Sequence, residues 1–125
     1  MNLDVTAREQ GFQDLVDRIR AEADLSDPDR AAVALEAVLF CLTRRLAGAE
    51  VSGLTARLPD SVRDRFPEEP EPDRSVDRHY VEEELARRLD VDQDAARAIA
   101  AGVTRALAAS RTGTPAMLRE LRAIT

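Results

Sequence analysis

The run Leu25-Ser26-Asp27 … Ala31 … Val38 … Leu42 returns downstream as Val91-Asp92-Gln93 … Ala96 … Val103 … Leu107. The offset is 66 residues at Leu25 and 65 from Ala31 onward, a one-residue deletion near Pro28. Leu15 and Ile19 likewise stand opposite Val81 and Leu85. A repeated helix–turn–helix unit constrains the fold strongly, because two copies that cannot each close a core bury their apolar faces together. The prediction is an all-α chain of two similar halves, residues 6–66 and 75–125, joined by a linker at 67–74. They pack as one compact bundle of about six helical segments, a single domain over residues 1–125.

Composition points the same way. Alanine is abundant and only 3% of the residues are aromatic, which suits helices packed through small side chains better than a β-sandwich. The lone cysteine, Cys41, lies in the apolar run Ala37-Val38-Leu39-Phe40-Cys41-Leu42 and reads as a small buried hydrophobe. There is no charged leader with an apolar segment and no run of ~20 apolar residues, so the chain reads as soluble and cytoplasmic, with no membrane partner.

The helix signals can be followed along the chain. Thr6-Ala-Arg-Glu9 has capping-box spacing and predicts a helix start, followed by the stripe Phe12, Leu15, Val16 and Ile19. Ser26-Asp27-Pro28 stops the chain and opens a second helix to about Leu46, with Gly48 as its C-terminal residue. This helix is apolar on two sides: Leu35, Val38, Leu42 and Leu46 on one, Val33, Ala37 and Phe40 on another, as expected of a central helix. A short third helix is predicted around Val51 to Leu58, ended by Pro59. The Pro- and Glu-rich run Pro67 to Arg74 then breaks the chain. Ser75, Asp92 and Thr114-Pro115 are candidate starts for three further helices, whose apolar residues include Val81, Leu85 and Leu89, then Ile99, Val103 and Leu107, then Met117, Leu118 and Leu121. Leu35, Val38, Leu42, Ile99, Val103 and Leu107 form the expected shared centre. In the repeat Val33, Ala37 and Phe40 face Ala98, Gly102 and Arg105, so the bulk of Val33 and Phe40 is expected to rest on the small surface of Ala98 and Gly102.

The pattern Ala31 … Ala37-Val38-Leu39 … Leu42 … Arg45-Leu46-Ala47 … Leu54-Thr-Ala-Arg-Leu58-Pro59, continued by Tyr80-Val81-Glu-Glu-Glu-Leu85 and the second Asp92 … Ala96 … Val103 … Leu107 unit, resembles the bacterial DUF2267 family. The resemblance runs from about Phe12 to Ile124 and is most specific at Leu54 to Pro59. It implies a small all-helical protein of two similar halves and brings no activity, cofactor or site residue with it. Members carry a second Leu-Pro near the C-terminus where this chain has Leu121-Arg122, which implies a shortened last helix.

Chemistry is sparsely signalled. Asp90-Val-Asp92-Gln-Asp94 imitates the opening of a calcium loop, but Ala95 stands where the turn glycine is needed and Ala101 where a bidentate glutamate is needed. The acids read instead as helix-terminal residues. His79 beside Glu82-Glu83-Glu84 is the only histidine, which does not make an ordinary zinc site. Ser110-Arg-Thr-Gly-Thr-Pro115 has ingredients of an anion loop without the phosphate-loop pattern, and a capped connection explains it. No catalytic, cofactor-binding or metal residue is expected, and no enzyme activity. All eighteen basic residues are arginine, and the net charge of −6 opposes nonspecific nucleic-acid binding. The best-supported reading is a non-catalytic protein–protein interaction module, monomer or homodimer, that meets a protein partner or itself through Phe40, Arg97, Arg105 and Arg119. The alternative is a nucleic-acid-binding protein using a helix-turn-helix-like pair.

Overall fold

The computed structural model describes residues 3–45, 59, 76–109 and 115–124, with side chains described from Gln10 in the first helix and from Leu118 in the last. The predicted helix at Val51 to Leu58, the C-terminal Gly48, the linker 67–74 and the loop 110–114 lie outside the described residues. Within them the chain forms five helices and no strand: α1 (Leu3–Glu22), α2 (Pro28–Arg45), α3 (Arg78–Leu89), α4 (Gln93–Ala109) and α5 (Pro115–Ile124).

The turns between α1 and α2 and between α3 and α4 are built alike. At the end of α1, Asp24 takes the left-handed conformation at φ 54° and the Leu25 amide donates back to the Arg20 carbonyl at 3.0 Å. At the end of α3, Asp90 sits at φ 55° and the Val91 amide donates to the Ala86 carbonyl at 3.2 Å. This is the Schellman closure of a helix, with a short polar residue where glycine is commonest and an apolar residue after it that packs on the core. Each turn then caps the next helix with an aspartate: Asp27 Oδ1 accepts from the Asp29 amide at 2.8 Å, and Asp92 Oδ1 from the Ala95 amide at 2.8 Å.

Two predicted starts are displaced. The first helix begins at Leu3, which puts Thr6 inside it: Leu3-Asp4-Val5 contains no breaker, so the helix runs through the capping-box spacing. The third begins at Arg78 and is capped by Asp77, whose Oδ1 accepts from the Tyr80 amide at 3.0 Å, rather than by Ser75. The reason lies in Val76, which is 1% exposed: with Asp77 as the cap, Val76 and Val81 occupy the two positions of a hydrophobic staple, and both are buried.

One core cluster joins all five helices. Leu35, Val38, Leu42, Ile99, Val103 and Leu107 are all buried within it, together with Ile19, Leu85, Leu121 and Ile124. Helix α2 packs against α1, α3, α4 and α5, which accounts for its two apolar sides. The expected seat for Val33 and Phe40 is not formed by Ala98 and Gly102. Ala98 is exposed, and a Cβ built on Gly102 would lie 2.7 Å from the Ala23 Cα. Gly102 is therefore small because α4 meets the end of α1, not the side of α2. Val33 and Phe40 are half-buried on α2 and pack against the core.

Arginines tie the helix ends together. Arg30 of α2 donates to the Leu89 carbonyl at the end of α3 (3.1 Å), and Arg105 of α4 to the Glu22 carbonyl at the end of α1 (2.8 Å), where a cation also favours the helix dipole. Arg45, largely buried, donates to the Val76 carbonyl at 2.6 Å and to Glu120 of α5 at 3.0 Å.

Candidate functional site

The polar cluster that stands out lies where the first turn of α3, the N-terminal half of α4 and the end of α5 converge around an open depression. It is lined by Asp77, Arg78, His79, Glu82, Gln93, Arg97 and Ala123. Helix α3 places Glu82 one residue after the core residue Val81, on the side that faces α4, and it is 3% exposed. A carboxylate taken out of water needs partners for both oxygens. Helix α4 supplies them: Arg97 Nε donates to Oε1 at 2.8 Å and Gln93 Nε2 to Oε2 at 3.1 Å. The Arg97 hydrogen bond, followed by that of Gln93, holds the Glu82 carboxyl below its ordinary range despite burial, so it is ionised at neutral pH.

His79 completes the cluster one turn earlier. Its Nε2 lies 2.8 Å from Glu83 Oε1 and its Nδ1 3.3 Å from Gln93 Nε2. Glu82 and Gln93, which the sequence places beside a lone histidine and in a failed calcium-loop pattern, thus take different roles here, as a buried anchor and its second hydrogen-bond donor. A signal for Glu82 did exist: at the 66-residue offset it stands opposite Val16, a stripe position, where a carboxylate breaks the apolar pattern. Gln93 carried none, being one of the residues at the deletion.

Chemically, Glu82 is spent as an acceptor and its proton is not available near neutral pH, so it is poorly placed as a general acid or base. Cys41 is no better as a nucleophile. It is fully buried, and burial first, then the charge of Glu84, push its thiol up to about 12, against the opposing pull of Arg88 and Arg44. Glu84 is itself held below the ordinary carboxylate range. Burial raises it, but the hydrogen bonds from Arg87 and Arg88 outweigh that. Asp90 and Asp92, which imitate a calcium loop, are the C-cap of α3 and the N-cap of α4. Among the described residues, no three of His, Cys, Asp and Glu are grouped to hold a metal ion.

The four residues of the expected interaction face go to different junctions. Phe40 lies between α2 and α3, its ring 5.5 Å from the Arg88 guanidinium. Arg97 is held by Glu82 of α3, and Arg105 by Glu22 of α1 through Nε at 3.0 Å. Arg119 is exposed on α5. No described helix is long and apolar enough to cross a membrane.

No curated protein matches the chain. The family model described as "Uncharacterized conserved protein (DUF2267)" matches residues 12–123, almost the whole of the sequence. With that match reaching into all five helices and spanning both capped turns, the chain belongs to the DUF2267 family.

Proposed function

We propose that this is a non-catalytic protein–protein interaction module of the cytoplasm, one domain over residues 1–125, monomeric or homodimeric. In this reading its two similar halves, 6–66 and 75–125, carry about six helices joined by the linker 67–74. The repeat is supported by the matching Schellman turns at Asp24 and Asp90 and the matching caps at Asp27 and Asp92. The interaction face is drawn from Phe40, Arg97, Arg105 and Arg119.

The observation that carries the reading is the disposition of reactive groups against surface groups. Cys41, Glu82 and Glu84 are committed to the packing of the helices, while a half-buried aromatic ring under one arginine and an exposed arginine on α5 remain at the surface. Aromatic and arginine side chains are the types that anchor protein interfaces. The test is affinity capture from the native host with the folded protein and two folded surface variants, Phe40→Ser and Arg119→Glu. A partner retained by the parent and lost by both variants supports the proposal. An anisotropy titration with duplex DNA provides the opposing arm: affinity that falls steeply with salt favours the helix-turn-helix alternative.

A further inference from the structure

The Glu82 cluster has an internal control. Position for position, Glu82 stands on Val16 and Arg97 on Ala32 of the first hairpin. Val16 is 2% exposed and Glu82 3%, so the same buried position accepts an apolar side chain in one hairpin and an ionised carboxylate in the other. The helical hairpin therefore does not require the ion pair, and a buried pair is weak as a stabilising device compared with apolar packing of similar volume. Its geometry points elsewhere. Glu82 takes Arg97 through Nε, side-on, and not through the terminal fork. The Arg97 side chain is 62% exposed, and no described residue accepts from its two terminal amino groups. A carboxylate at the floor, itself fixed by Gln93, thus aims the guanidinium fork outward over the depression.

The remaining hydrogen-bonding capacity of the depression is mostly donor. Both Glu82 oxygens are engaged, Asp77 Oδ1 is occupied by the Tyr80 amide, and Gln93 Nε2 is directed to Glu82 and His79, which leaves Asp77 Oδ2 and Gln93 Oε1 as acceptors beside the guanidinium donors. Arg78, exposed in the first turn of α3, adds a second guanidinium to the rim. We propose that Arg97, positioned by Glu82 and Gln93 and assisted by Arg78, binds a small oxyanion, a carboxylate or a phosphate monoester, in this depression. The planar fork matches two oxygens of such a group. Among the lining residues Asp77 and Glu82 balance the two arginines in formal charge, and Asp94 on α4 also acts on Arg97, so the site recognises by hydrogen-bond geometry and not by a positive net field.

The experiment is a nuclear magnetic resonance titration of the full chain at low ionic strength with inorganic phosphate and, separately, acetate, using chloride at matched ionic strength as the control. The expected result is saturable shifts of the Arg97 Nε–H and the Gln93 side-chain amide with phosphate, acetate or both. Arg97→Gln should abolish them, Glu82→Gln should weaken binding several-fold, and Arg87→Gln, a paired arginine of α3 that does not line the depression, should leave binding intact. Saturation with phosphate alone identifies a phosphate-type ligand, and with acetate alone a carboxylate. Where Glu82→Gln does not fold, Arg97→Gln and Arg78→Gln carry the test. Linear shifts shared with chloride, or binding that survives Arg97→Gln, would overturn the proposal.

Discussion

The α1–α2 hairpin and the α3–α4 hairpin solve the same packing problem with different side chains. Each closes its first helix on a left-handed aspartate and caps its second with another aspartate. Each sends an arginine from its second helix to the last carbonyls of the other hairpin's first helix: Arg30 to Leu89, Arg105 to Glu22. The differences lie at the equivalent side-chain positions. Val16 and Ala32 become Glu82 and Arg97, while Phe40 beside Arg88 corresponds to Arg105 beside Glu22. The turn closures and helix caps are thus alike in the two hairpins, while the polar side chains at these two junctions differ.

If the stripe is shared, equivalent leucines should be equally costly to lose. Leu42 and Leu107 are both fully buried, so truncating either to alanine should cost about 2–5 kcal/mol in chemical denaturation. A loss at one position and near-neutrality at the other would break the equivalence.

A smaller effect is expected at glycine. Gly102 meets the Ala23 backbone so closely that an added Cβ would lie 2.7 Å from the Ala23 Cα, whereas a Cβ on Gly11 meets nothing within 4 Å. Gly102→Leu should cost about 1–3 kcal/mol despite the better helix propensity. Gly11→Ala should stabilise by roughly 0.5–1 kcal/mol. A Gly102→Leu variant that melts above the parent would show that α4 and α1 do not approach there.

The two turns provide a matched pair. Asp24 and Asp90 sit in the left-handed region, so glycine at either position should relieve strain and stabilise by up to about 1 kcal/mol. Calorimetry that finds a gain in one and a loss in the other would mean that one aspartate makes a contact the other lacks.

Acid should separate the hairpins least dramatically. Glu82 and Glu84 both titrate below the ordinary value of 4.5 when folded. The sign follows: their stabilisation is fully present above 4.5 and is lost as pH falls through the lower folded values. Denaturation midpoints followed downward from neutral pH should decline below that point. The decline should be shallower in a Glu82→Val/Arg97→Ala variant.

Much of the fold was legible in the sequence, and for identifiable reasons. The stripe Leu35, Val38, Leu42, Ile99, Val103 and Leu107 follows from helical periodicity, and Asp92 from capping chemistry; both are local or nearly so. Thr6 failed as a start because a capping box is permissive, not obligatory, when helix-compatible residues precede it. Ser75 lost to Asp77 because the burial of Val76 decided between two good caps two residues apart. The neighbour of Gly102 was not legible, since repeat alignment shows which positions correspond but not which helices touch. The candidate site was half visible. Arg97 is legible as a surface cation, but its partner lies in the run Glu82-Glu83-Glu84, where the orientation of α3 buries Glu82, leaves Glu83 exposed and sets Glu84 against Arg87 and Arg88.

The central claim is that the polar cluster is an addition to a hairpin that folds without it. The direct measurement is the melting temperature of the Glu82→Val/Arg97→Ala double variant, which installs the side chains of Val16 and Ala32 at the equivalent positions. The account predicts that it melts at or above the parent, while Arg97→Ala alone, which strands the buried carboxylate, melts below both. A double variant that melts well below the parent, or no higher than Arg97→Ala alone, would contradict it.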